Sequence, residues 1–305
     1  MHPNETSENL GSFSDRQSVA TEPALFSNRE AAPQPCPSCG ADNGGIATAA
    51  LPTYVYSVGR IEPRFPRVSV EKELAQIIAR DDATGLPDRR VLKSVLSKPE
   101  NRYLARQMCW IMSIAGLETY LLFPRDPNDL HLLVQSLRPT ASPTELDVII
   151  GVKGPIAPAE ACNGLMIPVV VLDQIYSFDR ESLIKSIPKP EKAENDFEQA
   201  AEELFDRIMQ ITDNAGATDE HRALNYLAMR YHGIYARAAE AFAANCSLSA
   251  VDTRRSVLSS TRKIVEVIFS FTNRKTDVTE KSFVRVDVTE EFPFLVSKMT
   301  AYYDR

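Results

Sequence analysis

Apolar residues recur along this chain with two different periods, which predicts both strands and helices. Short runs rich in aromatic and β-branched residues, typical of strands, occupy residues 53–59, 109–114, 118–123, 146–152 and 166–172. Apolar residues three and four positions apart predict helices within residues 69–80, 88–98, 102–108 and 126–138. Prolines and glycines predict irregular segments at residues 60–67 and 153–165. We therefore predict a mixed α/β unit over residues 51–187.

A proline-containing linker at residues 187–192 separates this unit from a second one. Amphipathic stripes predict helices at residues 195–212 and 218–245, and alternating residues predict strands at residues 252–260, 262–272 and 281–289. The second unit, residues 191–305, is thus predicted to be a helical pair packed on a small antiparallel sheet. The fold class of the whole chain is predicted to be α+β.

Residues 1–50 show neither period and are rich in Ser, Asn, Glu, Pro, Gly and Ala. Such a segment buries too little apolar surface to offset the entropy lost on ordering. We predict a disordered tail that carries one motif, Cys36-x-x-Cys39.

Charge and composition narrow the range of partners. The 305 residues carry 34 Lys and Arg against 41 Asp and Glu, a net charge of −7, so nucleic acid is not an expected partner. No apolar run approaches the roughly 20 residues that span a membrane, and the first residues do not resemble a secretory signal. We expect a cytoplasmic protein that does not enter a membrane. Its five cysteines, an odd number, predict no structural disulfide.

The only familiar metal motif is the pair Cys36 and Cys39. Two thiolates at this spacing supply half of the four ligands that a structural zinc ion takes. The other ligands would come from elsewhere in the chain or from the same pair in a second chain, which would make a zinc-bridged homodimeric scaffold. The alternative is a solvent-exposed dithiol without metal. Zinc is the one cofactor that the sequence suggests.

Two segments contain side chains suited to catalysis. Residues 219–225 bring together acids, His221 and an asparagine, and Cys162 follows a loop, so a peptide-modifying enzyme with a site near either residue is one alternative. His221 and His232 lie eleven residues apart on one predicted helix, about 16 Å along its axis, too far to share a metal ion. The sequence contains no G-x-S-x-G or H-E-x-x-H motif. These observations favour a non-catalytic role.

A dense mixture of arginine and aromatic residues lies early in the first unit. Surfaces that bind peptides and proteins are enriched in these residue types. The alternative is an ion-pair network that only holds the segment in place. The candidate binding residues are Tyr54, Tyr56, Arg60, Glu62, Arg64, Phe65 and Arg67.

Long runs of this sequence are similar to one known family. They occupy residues 54–66, 71–73, 101–106, 117–121, 124–126, 150–158, 162–166, 173–177, 212–222 and 287–294. Over about residues 36–305 the chain resembles the C-terminal domain of unknown function of PatG-type cyanobactin maturation proteases.

The resemblance implies an accessory role in the maturation of a ribosomal peptide. In that family, cleavage and macrocyclisation belong to a subtilisin-like domain that precedes this region. This chain contains no Gly-Thr-Ser-Met-type nucleophile segment, so no catalytic triad is carried over. The expected partners are therefore a precursor peptide or a subtilisin-like maturation protease.

Overall fold

Two separate sheets organise the described part of the chain. The computed structural model describes residues 52–80, 88–138, 142, 144–189, 197–211, 214–257 and 261–303. One sheet closes into a barrel, and the other is an open sheet of four strands. Helices occur in both halves, so the predicted α+β class is confirmed. The predicted tail lies outside the described residues.

The barrel is built from the first half of the chain. Its strand order is β1-β2-β3-β5-β4, and its neighbouring strands are antiparallel except for the parallel pair β3 and β5. This is the strand order of an OB-type Greek-key barrel. The strands are β1 (Thr53–Arg64), β2 (Cys109–Ile114), β3 (Leu117–Pro124), β4 (Glu145–Ile156) and β5 (Pro168–Asp179).

The predicted β2–β3 hairpin is confirmed. Its turn residues, Ala115 and Gly116, have φ angles of 49° and 82°. Positive φ at both central positions is the type I′ geometry, which matches the twist of the flanking strands. Strands β4 and β5 are both longer than predicted, and β4 continues into the segment that was expected to be a loop.

Strand β1 also continues through a segment that was expected to be irregular because of its prolines. The last residue of β1 that pairs with β4 is Gly59, so Pro63 lies beyond β4 and pairs only with β2. On the same edge, two residues before Pro63, the amide of Ile61 donates to Asp147 Oδ2 at 2.9 Å. A proline is tolerated at such an edge because no strand there needs its missing N–H.

Four helices complete the first half as predicted: α1 (Val68–Arg80), α2 (Asp88–Leu96), α3 (Arg102–Gln107) and α4 (Leu130–Ser136). Their apolar faces pack against the barrel interior. This core contains Trp110, Met112, Leu122 and Ile149 from the strands together with Leu74, Val95, Leu104 and Leu133 from the helices. Within the described ranges, no helix is both long and apolar enough to cross a membrane.

The second half adds helices α5 (Arg180–Ser186), α6 (Phe197–Met209), α7 (Asp219–Arg230) and α8 (Gly233–Ala243), followed by strands β6 (Cys246–Arg255), β7 (Ile264–Asn273), β8 (Thr279–Asp287) and β9 (Phe294–Ala301). The four strands form an antiparallel sheet in sequence order. Strand β9 was not predicted. Its pairing with β8 shifts register twice, and apolar residues lie on both of its faces, Leu295 and Met299 on the half-buried face and Phe294 and Val296 on the exposed face.

The long helix predicted over residues 218–245 is broken into α7 and α8, so that prediction was wrong. The break falls at Tyr231 and His232, just before Gly233. A Cβ atom at Gly233 would lie 2.6 Å from the Tyr231 hydroxyl, so the ring folds back over a residue without a side chain. That hydroxyl accepts a hydrogen bond from the Met299 amide of β9 at 3.0 Å.

Both faces of β1 and β4 are buried. Val55 and Ile149 point into the barrel core, whereas Tyr56 and Val148 belong to a second core. This second core also contains the inner faces of α6, α7 and α8 and of the open sheet. The barrel wall, the helices and the open sheet therefore share one core, and residues 50–305 form one compact unit.

A short loop before α7, residues 214–217, which we call the barrel loop, closes a gap in the barrel beside β1. The Tyr56 amide donates to the Gly216 carbonyl at 2.9 Å, and Asn225 Nδ2 donates to the Tyr56 carbonyl at 2.8 Å. Asn214 Nδ2 donates to Asn225 Oδ1 at 2.8 Å, and Tyr120 of β3 donates to the Ala215 carbonyl at 2.9 Å. The barrel loop thus supplies hydrogen-bond partners that a strand would otherwise provide.

Replacing Asn225 with alanine should lower the free energy of unfolding by about 3 kcal/mol, because the Tyr56 carbonyl and the Asn214 amide would both be buried without partners. Urea denaturation measures this loss. Glu202→Ala, an exposed position on α6, is the control and should change stability by less than about 0.5 kcal/mol. Equal stability of the two variants would show that the Asn225 side chain does not hold β1.

Candidate functional site

The seven predicted binding residues lie on β1 and the three positions that follow it. Side chains two apart on a strand share a face. Tyr54, Tyr56, Arg60, Glu62 and Arg64 therefore share the outer face of the barrel. Tyr56 belongs to the core formed with α6–α8, whereas Arg60 is exposed.

Tyr56 cannot contact a ligand, which corrects the prediction. Its side chain is 1% exposed, and its hydroxyl lies 2.6 Å from that of Tyr176. Burial raises the pKa of Tyr56 far above its usual value, with a further contribution from Tyr176. Tyr54 is half-buried, and the Arg222 guanidinium stacks on its ring at 5.2 Å from the centroid. Both tyrosines serve the packing of β1.

The residues at the end of the segment are held by neighbouring side chains. Arg64 Nη1 lies 2.8 Å and 2.9 Å from the two carboxylate oxygens of Glu118. Phe65 packs against the barrel core, and the carbonyl of the exposed Arg67 accepts a hydrogen bond from the Val70 amide at the start of α1. Of the seven residues, the structure brings Arg60 and Glu62 to a cavity large enough for a ligand.

This cavity, which we call the β1 groove, has a volume of about 430 Å³. It lies between the middle of β1, the β2–β3 turn and the end of α6. Its floor is apolar, and its rim is charged. It is lined by Val58, Gly59, Arg60, Glu62, Ser113, Ala115, Gly116, Leu146, Arg180, Phe205, Asp206 and Met209.

Glycine is required where the groove meets β1. A Cβ atom at Gly59 would clash with the carbonyl oxygen of Ser113 on β2 and lie 3.1 Å from Met112 Cε. The absence of a side chain lets β1 and β2 approach each other beside the groove.

Ion pairs fix the rim of the groove. Arg180 Nη1 lies 2.7 Å from Asp206 Oδ1, and Arg89 Nη2 lies 3.2 Å from Glu62 Oε1. The lining residues carry two cations, Arg60 and Arg180, and two anions, Glu62 and Asp206. The groove is therefore polar at its rim without a net charge.

Sequence reasoning missed the far wall of the groove. The helical stripe placed Phe205 in a core, and nothing in the pattern indicated that α6 lies beside β1. Arg180 and Met209 carried no signal of their own, since each is an ordinary residue near a helix end. Their contribution depends on a contact between segments more than 100 residues apart.

The predicted zinc ligands Cys36 and Cys39 lie outside the described residues. Among the residues that the structure does describe, no group of three or more His, Cys, Asp or Glu side chains is arranged to hold a metal ion. The zinc site therefore stays a prediction.

Cys162 forms a disulfide with Cys109, which contradicts the expectation of no structural disulfide. The β4–β5 connection folds over the outer face of β2 and β3, which places the two Cα atoms 5.9 Å apart, within the usual range for a disulfide. A bonded sulfur is not a nucleophile, and Cys162 is fully buried.

OB-type barrels commonly bind ligands on the β2–β3 face. Here that face is covered by the chain itself.

The segment around His221 takes part in an electrostatic network. Asp219 lies 3.4 Å from Lys263, 3.7 Å from Arg222 and 3.8 Å from Arg255. Asn225, once considered for acid–base chemistry, is 1% exposed and bonded to β1. His221 is the third residue of α7, and its amide donates to the Thr218 side chain at 3.1 Å.

The same network contains a pair of carboxyl groups that the sequence did not reveal. Arg222 is 2% exposed and donates to the carbonyls of Val288, at 2.7 Å, and Glu291, at 3.1 Å. The Glu291 carboxyl group faces Asp173 of β5, whose Oδ2 lies 2.6 Å from Arg125 Nη2. Burial, the hydrogen bond to Asp173 and its negative charge together raise the pKa of Glu291 to about 7. Glu291 therefore keeps its proton up to near neutral pH.

Known proteins resemble both the C-terminal region of this chain and its barrel. Residues 191–302 match the family described as PatG C-terminal. The chain carries a PatG C-terminal-type domain. A solved structure titled "PatG Domain of Unknown Function" has a similar fold, with a TM-score of 0.63 and 19% sequence identity, over 82% of this chain and 98% of that chain. No curated protein matches the sequence.

The family match covers residues 191–302, and the similarity of fold to the solved structure extends into the barrel. The β1 groove draws on both regions. Phe205, Asp206 and Met209 lie within residues 191–302, whereas Arg60 and Glu62 lie outside them.

The raised pKa of Glu291 makes the stability of this PatG-type domain depend on pH. Because the folded state holds a proton on Glu291 that the unfolded chain releases near its ordinary pKa, the unfolded state binds fewer protons between about pH 4.5 and pH 7. Stability should therefore fall as pH rises through this range. Glu291→Gln keeps a neutral side chain at every pH. Its stability should therefore lack the part of the fall that comes from Glu291.

Urea denaturation of both proteins at pH 5 and pH 8 tests this. The stability of the wild type relative to Glu291→Gln should be lower at pH 8 than at pH 5. Glu290→Gln, the exposed neighbour, should follow the wild type at both values. Parallel pH dependence of all three proteins would contradict a raised pKa at Glu291.

Proposed function

We propose that this protein is a non-catalytic accessory of cyanobactin-type peptide maturation and that it binds an extended stretch of a precursor peptide in the β1 groove. The observation that carries the proposal is the composition of the groove. An apolar floor of Val58, Leu146, Phe205 and Met209 lies beneath a charged rim. Its volume of about 430 Å³ falls within the range of sites that enclose small ligands or a few side chains.

The charge of the rim favours a peptide of mixed composition. The two cations and two anions that line the groove cancel, so a strongly charged ligand gains little from it. A peptide backbone, which is neutral and offers both donors and acceptors, suits such a rim. An apolar side chain of the peptide would fill the space above Phe205 and Met209 and bury its surface.

The side chains that line the groove also favour binding over catalysis. Its lining residues contain no histidine or cysteine, and their charged side chains include the ion pair Arg180–Asp206. The cavity that Asp173 lines holds about 10 Å³, too small for a peptide. The resemblance to PatG-type proteins supports the pathway, since their C-terminal region accompanies a separate protease domain.

The test replaces a wall residue of the groove in the full chain. Met209→Lys puts a charge onto the apolar wall and should reduce capture of precursor peptide from native lysate at least about tenfold, since burying an unpaired charge costs well over 1.4 kcal/mol. The matched control is Gln210→Lys, which places the same charge at the next residue, an exposed position directly after α6. Mass spectrometry of the captured peptides gives the readout.

Recovery of precursor peptide with Gln210→Lys and its loss with Met209→Lys supports the proposal. Equal recovery of precursor peptide with both variants would show that the β1 groove does not bind it. Capture of a subtilisin-like protease without peptide, lost in the same variant, would identify protease docking as the function. A change in the mass of bound peptide that His221→Ala abolishes would identify an enzyme.

A further inference from the structure

A second cavity, remote in sequence from the β1 groove, is lined by residues of α2, α3 and α4. It has a volume of about 410 Å³, and no residue lines both cavities. We call it the α3–α4 cavity. Its lining includes the end of α2, the turn at residues 97–99, and the facing sides of α3 and α4.

The floor of the α3–α4 cavity is aliphatic. It is formed by Leu96, Ala105, Leu130 and Val134, each no more than 5% exposed. These side chains belong to or adjoin the core that closes the barrel, so the floor is part of a packed scaffold and is preformed. A preformed apolar floor recognises an apolar group of a ligand.

The rim of the cavity is basic. Lys98, Arg102 and His131 line it, together with the neutral side chains of Ser97, Asn128 and Gln135, and none of its lining residues is acidic. Acidic residues outnumber basic ones in the chain as a whole. The neighbouring acids Glu100, Asp126 and Asp129 do not line the cavity. A basic rim on an acidic protein selects an anionic group.

Arg102 is held in place by its own hydrogen bonds. Its Nη2 donates to the carbonyl of Pro127 at 3.0 Å and to Asn128 Oδ1 at 3.2 Å, which ties α3 to the turn before α4. His131 Nδ1 lies 2.8 Å from the Asn128 carbonyl, which sets the orientation of its ring. Guanidinium groups carry five donors in a planar fork that matches a carboxylate. Among the contacts of the described residues, both hydrogen bonds of Arg102 use Nη2.

From this geometry we propose that the α3–α4 cavity binds a carboxylate attached to an aliphatic group. Arg102 receives the carboxylate, and the floor of Leu96, Ala105, Leu130 and Val134 receives the aliphatic group. A peptide that ends in an aliphatic residue with a free carboxylate has this chemistry, as does a short aliphatic acid. The site is independent of the β1 groove.

Calorimetric titration of the full-length protein tests the site with N-acetyl-Ala-Leu as the free acid and as its C-terminal amide. The free acid should bind at least about tenfold more tightly, as expected for charge-assisted hydrogen bonds. Arg102→Gln should abolish this preference, and Arg106→Gln, exposed on the same helix but not lining the cavity, should retain it. Gln135→Trp, at an exposed rim position, should block both ligands.

Two further ligands show whether the carboxylate belongs to a peptide terminus or to a short aliphatic acid. Binding of 4-methylpentanoate as tight as that of the peptide acid identifies an aliphatic acid site, and binding at least about tenfold weaker identifies a peptide terminus; both support the cavity. Equal affinity for acid and amide would overturn the proposal. So would inorganic phosphate binding as tightly as the peptide acid, because the floor would then contribute nothing. Met209→Lys in the β1 groove should leave every affinity here unchanged.

Discussion

The hydrogen bonds of the Tyr56 backbone are the constraint on which the rest of the structure depends. Tyr56 lies on a strand whose two faces are buried in different cores, and its amide and carbonyl point toward a gap in the barrel wall. The barrel loop and Asn225 fill that gap, and Gly216 does so at a φ of 73°. A Cβ atom there would clash with the Tyr56 carbonyl, so only glycine brings the loop this close. The second half of the chain thereby completes the barrel of the first.

This closure explains why the candidate binding site is composite. Once the barrel loop fixes α7 against β1, helix α6 packs beside the same strand and its last turn stops near Gly59. The charged half of β1 then emerges next to Phe205 and Met209, and the β1 groove is the space between them. The β2–β3 face, by contrast, is covered by the β4–β5 connection, which Cys109 and Cys162 join. The β1 groove therefore lies on a different face of the barrel from the covered one.

Local patterns sufficed for the helices of the first half, the β2–β3 hairpin and the α+β class, because periodicity and turn residues act over short distances. They failed where the structure of a segment depends on contacts with residues far away in the sequence. Pro63 lies in a strand because the strand edge there is free. The Tyr231 hydroxyl at the helix break bonds to β9, and β9 was missed because its apolar residues lie on both of its faces. Arg60 and Glu62, which the sequence singled out as candidate binding residues, line the β1 groove. The sequence also singled out Tyr56, whose burial follows from helices more than 140 residues later.

Hydrogen exchange of Gly216→Ala tests the central claim most directly. The account predicts that the opening free energy falls by about 2 kcal/mol or more, and by the same amount in the barrel strands and in strands β6–β9, because both belong to one cooperative unit. Gly154→Ala is the control, since a Cβ atom there meets its nearest neighbour at an ordinary 3.6 Å. Loss of protection confined to residues 214–218, with the barrel unchanged, would contradict the dependence of the barrel on this loop.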